Sequence, residues 1–231
     1  MHSLREHFRC LGLGPSGSVL FDFFGYYRAP ATLSLQQQME RMRRPNVLHV
    51  NFIELAFDTL VPPAVLQAHR DQIDLALLRT REIYDQATLG IARIKHGLIE
   101  DAFAGGYPDI GSDGEAGDLC DAYSVDNDGL DVFIVQSYAG SGGSSPRNGS
   151  CGKDGKNSGV VVPVNIGSIE SAEHTATAVP HEIGHYLRLG HSDDPDNLMF
   201  TGQNQRALTA GQAQVILQHC MITQCPTPQE V

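Results

Sequence analysis

The chain has 231 residues, with 16 Lys and Arg against 27 Asp and Glu, and a formal charge of −11 at neutral pH. Phosphate backbones are held by clustered cations that this composition does not supply, so no nucleic-acid partner is expected. The longest apolar runs, such as Val132 to Val135 and Val160 to Val164, fall far short of the roughly 20 residues that cross a bilayer, so no membrane-spanning segment is expected.

Residues 1–45 mix Gly12, Gly14, Pro15 and Gly17 with a Gln- and Arg-rich stretch and read as an N-terminal arm or pro-segment before a main domain over 46–231. Met1 to Leu20 lacks the continuous apolar core of a signal peptide, so any export signal is removed or absent. From Asn46 the pattern sharpens. Val47 and His49 to Phe57 alternate as a strand does, Pro62-Pro63 breaks the run, and Ala64 to Thr88 carries apolar residues at helical period. Gly90 to Ile99 and Leu130 to Tyr138 read as two further strands. Ala139 to Ser158 is rich in Gly and Ser and predicts a long surface loop. Val160 to Ile166 is a short strand that Pro163 restricts to a sheet edge, where its missing N–H is not needed. An edge can receive an extended peptide, which makes Val160, Val161 and Val162 candidate substrate-binding residues. Ala210 to Cys220 predicts a helix with Thr209 as N-cap.

Between Lys95 and Arg147 there is no Lys or Arg, so negative charge concentrates in one stretch. Within it Asp126, Asp128 and Asp131 flank a turn Gly and are candidate calcium ligands, against the competing reading of a solvated turn. The five cysteines are an odd number. Cys220 with Cys225 and Cys120 with Cys151 would suit two disulfides in an exported protein, and a secreted or extracellular location is expected. Asn148-Gly149-Ser150 also matches a glycosylation acceptor.

The most informative segment is His181-Glu182-Ile183-Gly184-His185-Tyr186-Leu187-Arg188-Leu189-Gly190-His191. On a helix His181 and His185 are one turn apart on one face, so both imidazoles can reach a single zinc ion about 2.0–2.1 Å from each nitrogen. Glu182 stands beside them, placed to take a proton from water rather than to ligate. Zinc needs a third protein ligand, and His191 supplies it if the chain turns sharply after His185, because a continued helix would carry it roughly 240° round. His174, seven residues before His181, could face the same side, with a packed or surface imidazole as the plainer reading.

This segment resembles the signature of the metzincin zinc metallopeptidases, H-E-x-x-H-x-x-G-x-x-H followed by a methionine turn. The run from Ser192 to Leu198-Met199 is similar to the matrixin branch and makes Met199 the Met-turn residue. The resemblance implies an α+β fold with a mixed, mostly parallel twisted sheet and two long helices in an upper subdomain (46–190). A small C-terminal helical subdomain (191–231) would lie below an active-site cleft. It implies a zinc-dependent endopeptidase, acting as a monomer on a protein or peptide substrate through a metal-activated water and Glu182 as general base. Phe200 to Leu208 would then shape the primed-side pocket. The alternative is a non-catalytic zinc- or peptide-binding relative. Arg9-Cys10-Leu11-Gly12 is similar to the matrixin latency switch, which makes Cys10 a candidate thiolate on the metal.

Two residues depart from the family pattern. Arg188 replaces the Gly of the turn, so either Arg188 takes a left-handed conformation at a cost of roughly 1–2 kcal/mol or the turn moves to Gly190. Pro180 precedes His181, so the helix is expected to start late, with Thr177 as N-cap, or to kink at Pro180.

Overall fold

The computed structural model describes residues 44–57, 63–139, 143–164, 169–202 and 205–224. Residues 1–43, with Cys10, and Cys225 lie outside that set, so the arm and the latency cysteine are not placed. In chain order the elements are β1 (Asn46–Leu55), α1 (Pro63–Asp85), β2 (Leu89–Ile99), α2 (Asp101–Ala104), β3 (Asp109–Ile110), α3 (Asp113–Tyr123), β4 (Leu130–Val135), β5 (Ser137–Tyr138), β6 (Gly159–Pro163), α4 (Ile169–Tyr186), α5 (Ala210–Leu217) and β7 (Thr223–Gln224). A 3₁₀ turn spans Gly155–Asn157.

The main sheet runs β2-β1-β4-β6, all parallel, and the short β7 pairs antiparallel with β1. Parallel pairing needs crossovers, and α1 supplies the one from β1 to β2. Sheets built this way are covered on both faces, which is why β1 and β4 are buried almost throughout and read as nearly unbroken apolar runs. Leu48, Val50, Phe52, Val132, Ile134, Val160 and Val162 belong to the core that Ile73, Leu77 and Tyr84 of α1 and Val179 and Ile183 of α4 share. Ile53, Leu55, Phe133, Val135 and Val161 point the other way, onto Leu119 and Cys120 of α3. Each such side chain contributes about 1.5–3 kcal/mol when fully buried.

The mixed, mostly parallel sheet and the two long helices are as expected, but α3 is an addition: helices cover both faces. The predicted strand Leu130 to Tyr138 divides at Gln136, and its second piece pairs with β3 in a separate two-stranded sheet. In β2 the register against β1 slips by one residue opposite His49. His49 Nδ1 accepts the Arg93 N–H there, 3.1 Å away. Pro163 is indeed on an edge strand. Val164 N–H donates to the Val135 carbonyl, so by alternation the proline nitrogen faces away from β4.

Helix α4 does not start late. It runs through Pro180, and Thr177 is inside it rather than capping it, its hydroxyl donating to the Glu173 and His174 carbonyls. Tertiary contacts outweigh the local cost of the proline. Tyr84 Oη donates to the Pro180 carbonyl at 2.8 Å, and Arg79 of α1 pairs with Glu173. Helix α5 begins where predicted, with a reciprocal capping box between Thr209 and Gln212, and ends at Leu217.

The cysteine pairing differs from expectation. Cys151 is bonded to Cys220, and Cys120 is a buried free thiol against the sheet, with burial as the main cause pushing its pKa up to about 12. No helix among the described residues is long and apolar enough to cross a membrane.

Candidate metal centre

The last turns of α4 carry His181, Glu182 and His185, and the chain beyond the helix brings the third imidazole back toward them. Leu189 N–H donates to the Gly184 carbonyl and Arg188 N–H to that of His185, the paired bonds of a Schellman ending. Arg188 occupies the left-handed position of that motif, at φ 78°, so the bend has not moved to Gly190. Its guanidinium donates to Asn148 Oδ1. Beyond His191 the chain doubles back, with Ser192 N–H on the Met199 carbonyl at 2.9 Å and Met199 N–H on Asn197 Oδ1.

His181, His185 and His191 each present a ring nitrogen within 4.8 Å of the others. The residues fit a zinc ion on three further counts. His181 Nδ1 lies 2.7 Å from the Leu198 carbonyl and His185 Nδ1 lies 2.9 Å from that of Leu189. A carbonyl only accepts, so both Nδ1 atoms carry the proton and both Nε2 lone pairs are free for a metal. His185 Nε2 and His191 Nε2 stand 3.1 Å apart. Two ligands at tetrahedral angles on one zinc would lie roughly 3.3–3.4 Å apart. Burial, the largest cause, lowers the His181 pKa and brings that of His185 down to about 4, so both are neutral at pH 7, as ligation requires.

Met199 is fully buried beneath this site. A Cβ added to Gly184 would sit 2.6 Å from its sulfur, so the glycine between the two helical histidines is what lets the thioether approach. Glu182 is 8% exposed, and burial first, then the carboxylate of Asp113, pushes its pKa up to about 8 in the absence of a cation. A dication at the imidazoles would favour its ionised form again.

The triad and Glu182 line a cavity of about 370 Å³. His174 lines it too, so it does share the face of His181, and Phe200, Thr201 and Gln205 form another part of the wall. The expected substrate strand is not free. Val160, Val161 and Val162 are at most 1% exposed, and the outward N–H and carbonyl of Val161 are bonded to Ser144 in an antiparallel bridge. Ser144 thus lies outside β6, and Gly143, Ser144 and Ser145 line the cavity instead. Gly143 must be small. A Cβ there would lie 2.8 Å from Glu182 Cγ and 3.0 Å from the Val161 carbonyl.

The segment predicted as a loop is also fastened to the end of α4. Asn148 and Gly149 N–H groups donate to the His185 and Tyr186 carbonyls, Tyr186 Oη donates to the Ser150 carbonyl, and the next residue is the disulfide cysteine Cys151.

The calcium expectation fails on the carboxylates themselves. Asp131 is fully buried and accepts from Lys153, Asn51, Ser124 and Val125 N–H. Asp128 pairs with Arg93, and Asp126 is exposed. Two protein cations, Lys153 and Arg93, take up the carboxylates of Asp131 and Asp128.

Asp113 and Tyr138, both on the cavity wall, carry no motif that marks them in the sequence. The spacing Ser112-Asp113-Gly114-Glu115 is a helix-start signal that could have located α3, and the Ser112 side chain does cap it.

No protein-family model matches the chain, and no curated protein matches it. Among solved structures it is similar to metalloproteinase-II from Bacteroides fragilis, with a TM-score of 0.50 and 16% identity, covering 93% of this chain and 60% of that one. It also aligns with archaemetzincin from Methanopyrus kandleri, with a TM-score of 0.42 and 15% identity over 75% of this chain and 92% of that one. The first likeness is one of fold, and the chain spans 60% of that protein's length.

Proposed function

We propose that this chain is a zinc-dependent endopeptidase of the metzincin type, with His181, His185 and His191 as the ligands, Met199 as the Met-turn residue and Glu182 as the general base. The observation that carries the reading is the convergence of three imidazoles, two of them locked by carbonyls into the ligating tautomer, beside the buried carboxylate of Glu182. The fold shared with metalloproteinase-II supports it. Ser192 and Leu198-Met199 favour the matrixin branch within that type. The cleft would divide residues 46–190 from 191–231, and the disulfide between Cys151 and Cys220 suits a secreted protein.

Zinc, when bound, supplies a Lewis acid that polarises the scissile carbonyl and acidifies water. Glu182 accepts the proton of the attacking water and returns it to the leaving amine nitrogen. Its near-burial keeps bulk water from competing for that proton. The substrate lies extended along the outer edge of residues 143–145, which takes over the role expected of Val160 to Val162. Its side chains reach the wall formed by Thr177, Phe200 and Gln205.

The test is cleavage of a quenched peptide library by zinc-loaded protein and by Glu182→Gln. Loss of at least about a thousandfold in turnover, with zinc content unchanged, is expected for a base acting in the chemical step. Zinc content of one per chain without any cleavage by the wild type would favour the non-catalytic zinc-binding alternative.

A further inference from the structure

The cavity around the three histidines has a charge pattern that the hydrolytic mechanism does not use. Its described lining holds two carboxylates, Asp113 and Glu182, and no Lys or Arg. Glu182 is committed to proton transfer. Asp113 is free of that duty, and among the described residues no Lys, Arg or His forms an ion pair with it. The neighbouring carboxylate of Glu115 is otherwise engaged, accepting from Gly111 N–H at 2.7 Å.

Asp113 is also held in place. It is the first residue of α3, directly after the N-cap Ser112, where the helix dipole favours a negative charge. Tyr138 Oη of β5 donates to its Oδ1. This leaves the second carboxylate oxygen and the remaining lone pairs of the first for a ligand. The side chain that would satisfy them is a cation, and the net charge of −11 draws cationic peptides toward the protein.

Resting on the peptidase reading, we infer that Asp113, oriented by Tyr138, is a specificity-determining residue that selects peptides carrying an Arg or Lys side chain next to the scissile bond. The guanidinium or ammonium replaces water on the Asp113 carboxylate as the peptide lines up along residues 143–145. A substrate glutamate at the same position meets two like charges and is rejected.

The experiment compares peptides identical except for Arg, Lys, norleucine or Glu at each position flanking the cleaved bond. The wild-type, Asp113→Asn and Asp113→Glu proteins are assayed, with folding confirmed by circular dichroism. At one position the wild type is expected to favour Arg over norleucine by about tenfold in kcat/KM, the factor that about 1.4 kcal/mol supplies. Asp113→Asn should bring that ratio to within about twofold of unity, and Asp113→Glu should keep its direction. Added salt should erode the wild-type preference, which a purely steric role would not produce. Fluorescence anisotropy of the labelled Arg and norleucine peptides on Glu182→Gln protein, with and without Asp113→Asn, reads the same preference without turnover. If the wild type cleaves no peptide, the peptidase reading falls and the anisotropy comparison still decides the inference. An Arg preference that survives Asp113→Asn, or its absence from both assays, overturns it.

Discussion

Lys153→Met should destabilise the protein far more than the loss of one lysine ordinarily would. The Lys153 side chain is 6% exposed and that of Asp131 is fully buried, and their charged atoms are 3.0 Å apart. Removing the ammonium leaves a carboxylate in the core without a counter-charge, a change that costs about 3–5 kcal/mol. Asn51 at 2.7 Å, Ser124 at 3.1 Å and Val125 N–H at 3.0 Å still donate to it, which places the expected cost near the lower end, about 3 kcal/mol. Methionine keeps the stem length and the Cβ at φ 53°, so backbone strain is not altered. For a chain of this size the loss corresponds to a fall in Tm of roughly 6–12 °C. Thermal and urea unfolding read it directly. The double variant Lys153→Met/Asp131→Asn should recover at least about 1 kcal/mol, a coupling expected of contacting charges. Millimolar calcium should leave the wild-type Tm unchanged. A single variant within about 1 kcal/mol of wild type, or an additive cycle, would refute the argument.

Acid should unfold the protein over a defined window. Burial, the largest cause in each case, holds the pKa of His49 and of His69 down to about 4, against 6.5 when free, and among the described residues neither ring nitrogen of His69 has a hydrogen-bond partner. The unfolded chain therefore takes up protons first. The contribution of each, roughly 3 kcal/mol, is complete above pH 6.5 and is lost as pH falls through 4. A urea midpoint that stays flat from pH 7 to pH 4 would contradict this. Gly184→Ala forces a methyl group onto the Met199 sulfur and should weaken zinc binding about tenfold while costing about 1–3 kcal/mol, measured by metal competition and thermal melting. Cys220→Ser opens a link between residues 69 apart and should cost about 2–4 kcal/mol, observed equally as a Tm drop of the wild type on adding a thiol reductant.

Much of the frame was legible because it depends on local pattern. The strands β1, β2, β4 and β6 and the helices α1 and α5 follow from apolar period and from Thr209, and the spacing from His181 to His191 marks the candidate ligands. What escaped depends on partners remote in sequence. Asp126 to Asp131 reads as a calcium loop until Lys153 arrives from 22 residues away. Cys151 pairs with Cys220 because the 143–157 segment is pinned to the end of α4, which spacing along the chain does not reveal. The outer edge at Ser144 has no periodicity, since a Gly-Ser segment signals nothing by hydrophobicity and gains its place by two backbone bonds to Val161. Helix α3 is rich in Asp and Gly, so apolar period does not mark it, and its Ser112 cap is the one local signal it carries. Thr177 and Pro180 mislead because contacts from α1 override a local helix breaker.

Zinc titration of chelator-treated protein by calorimetry, alongside His191→Ala, tests the central claim most directly. One ion per chain is expected, bound at least about a hundredfold more weakly when His191 is removed, since a third protein ligand is then missing. Failure of the wild type to bind zinc, or binding indifferent to His191, would contradict the proposed metal centre.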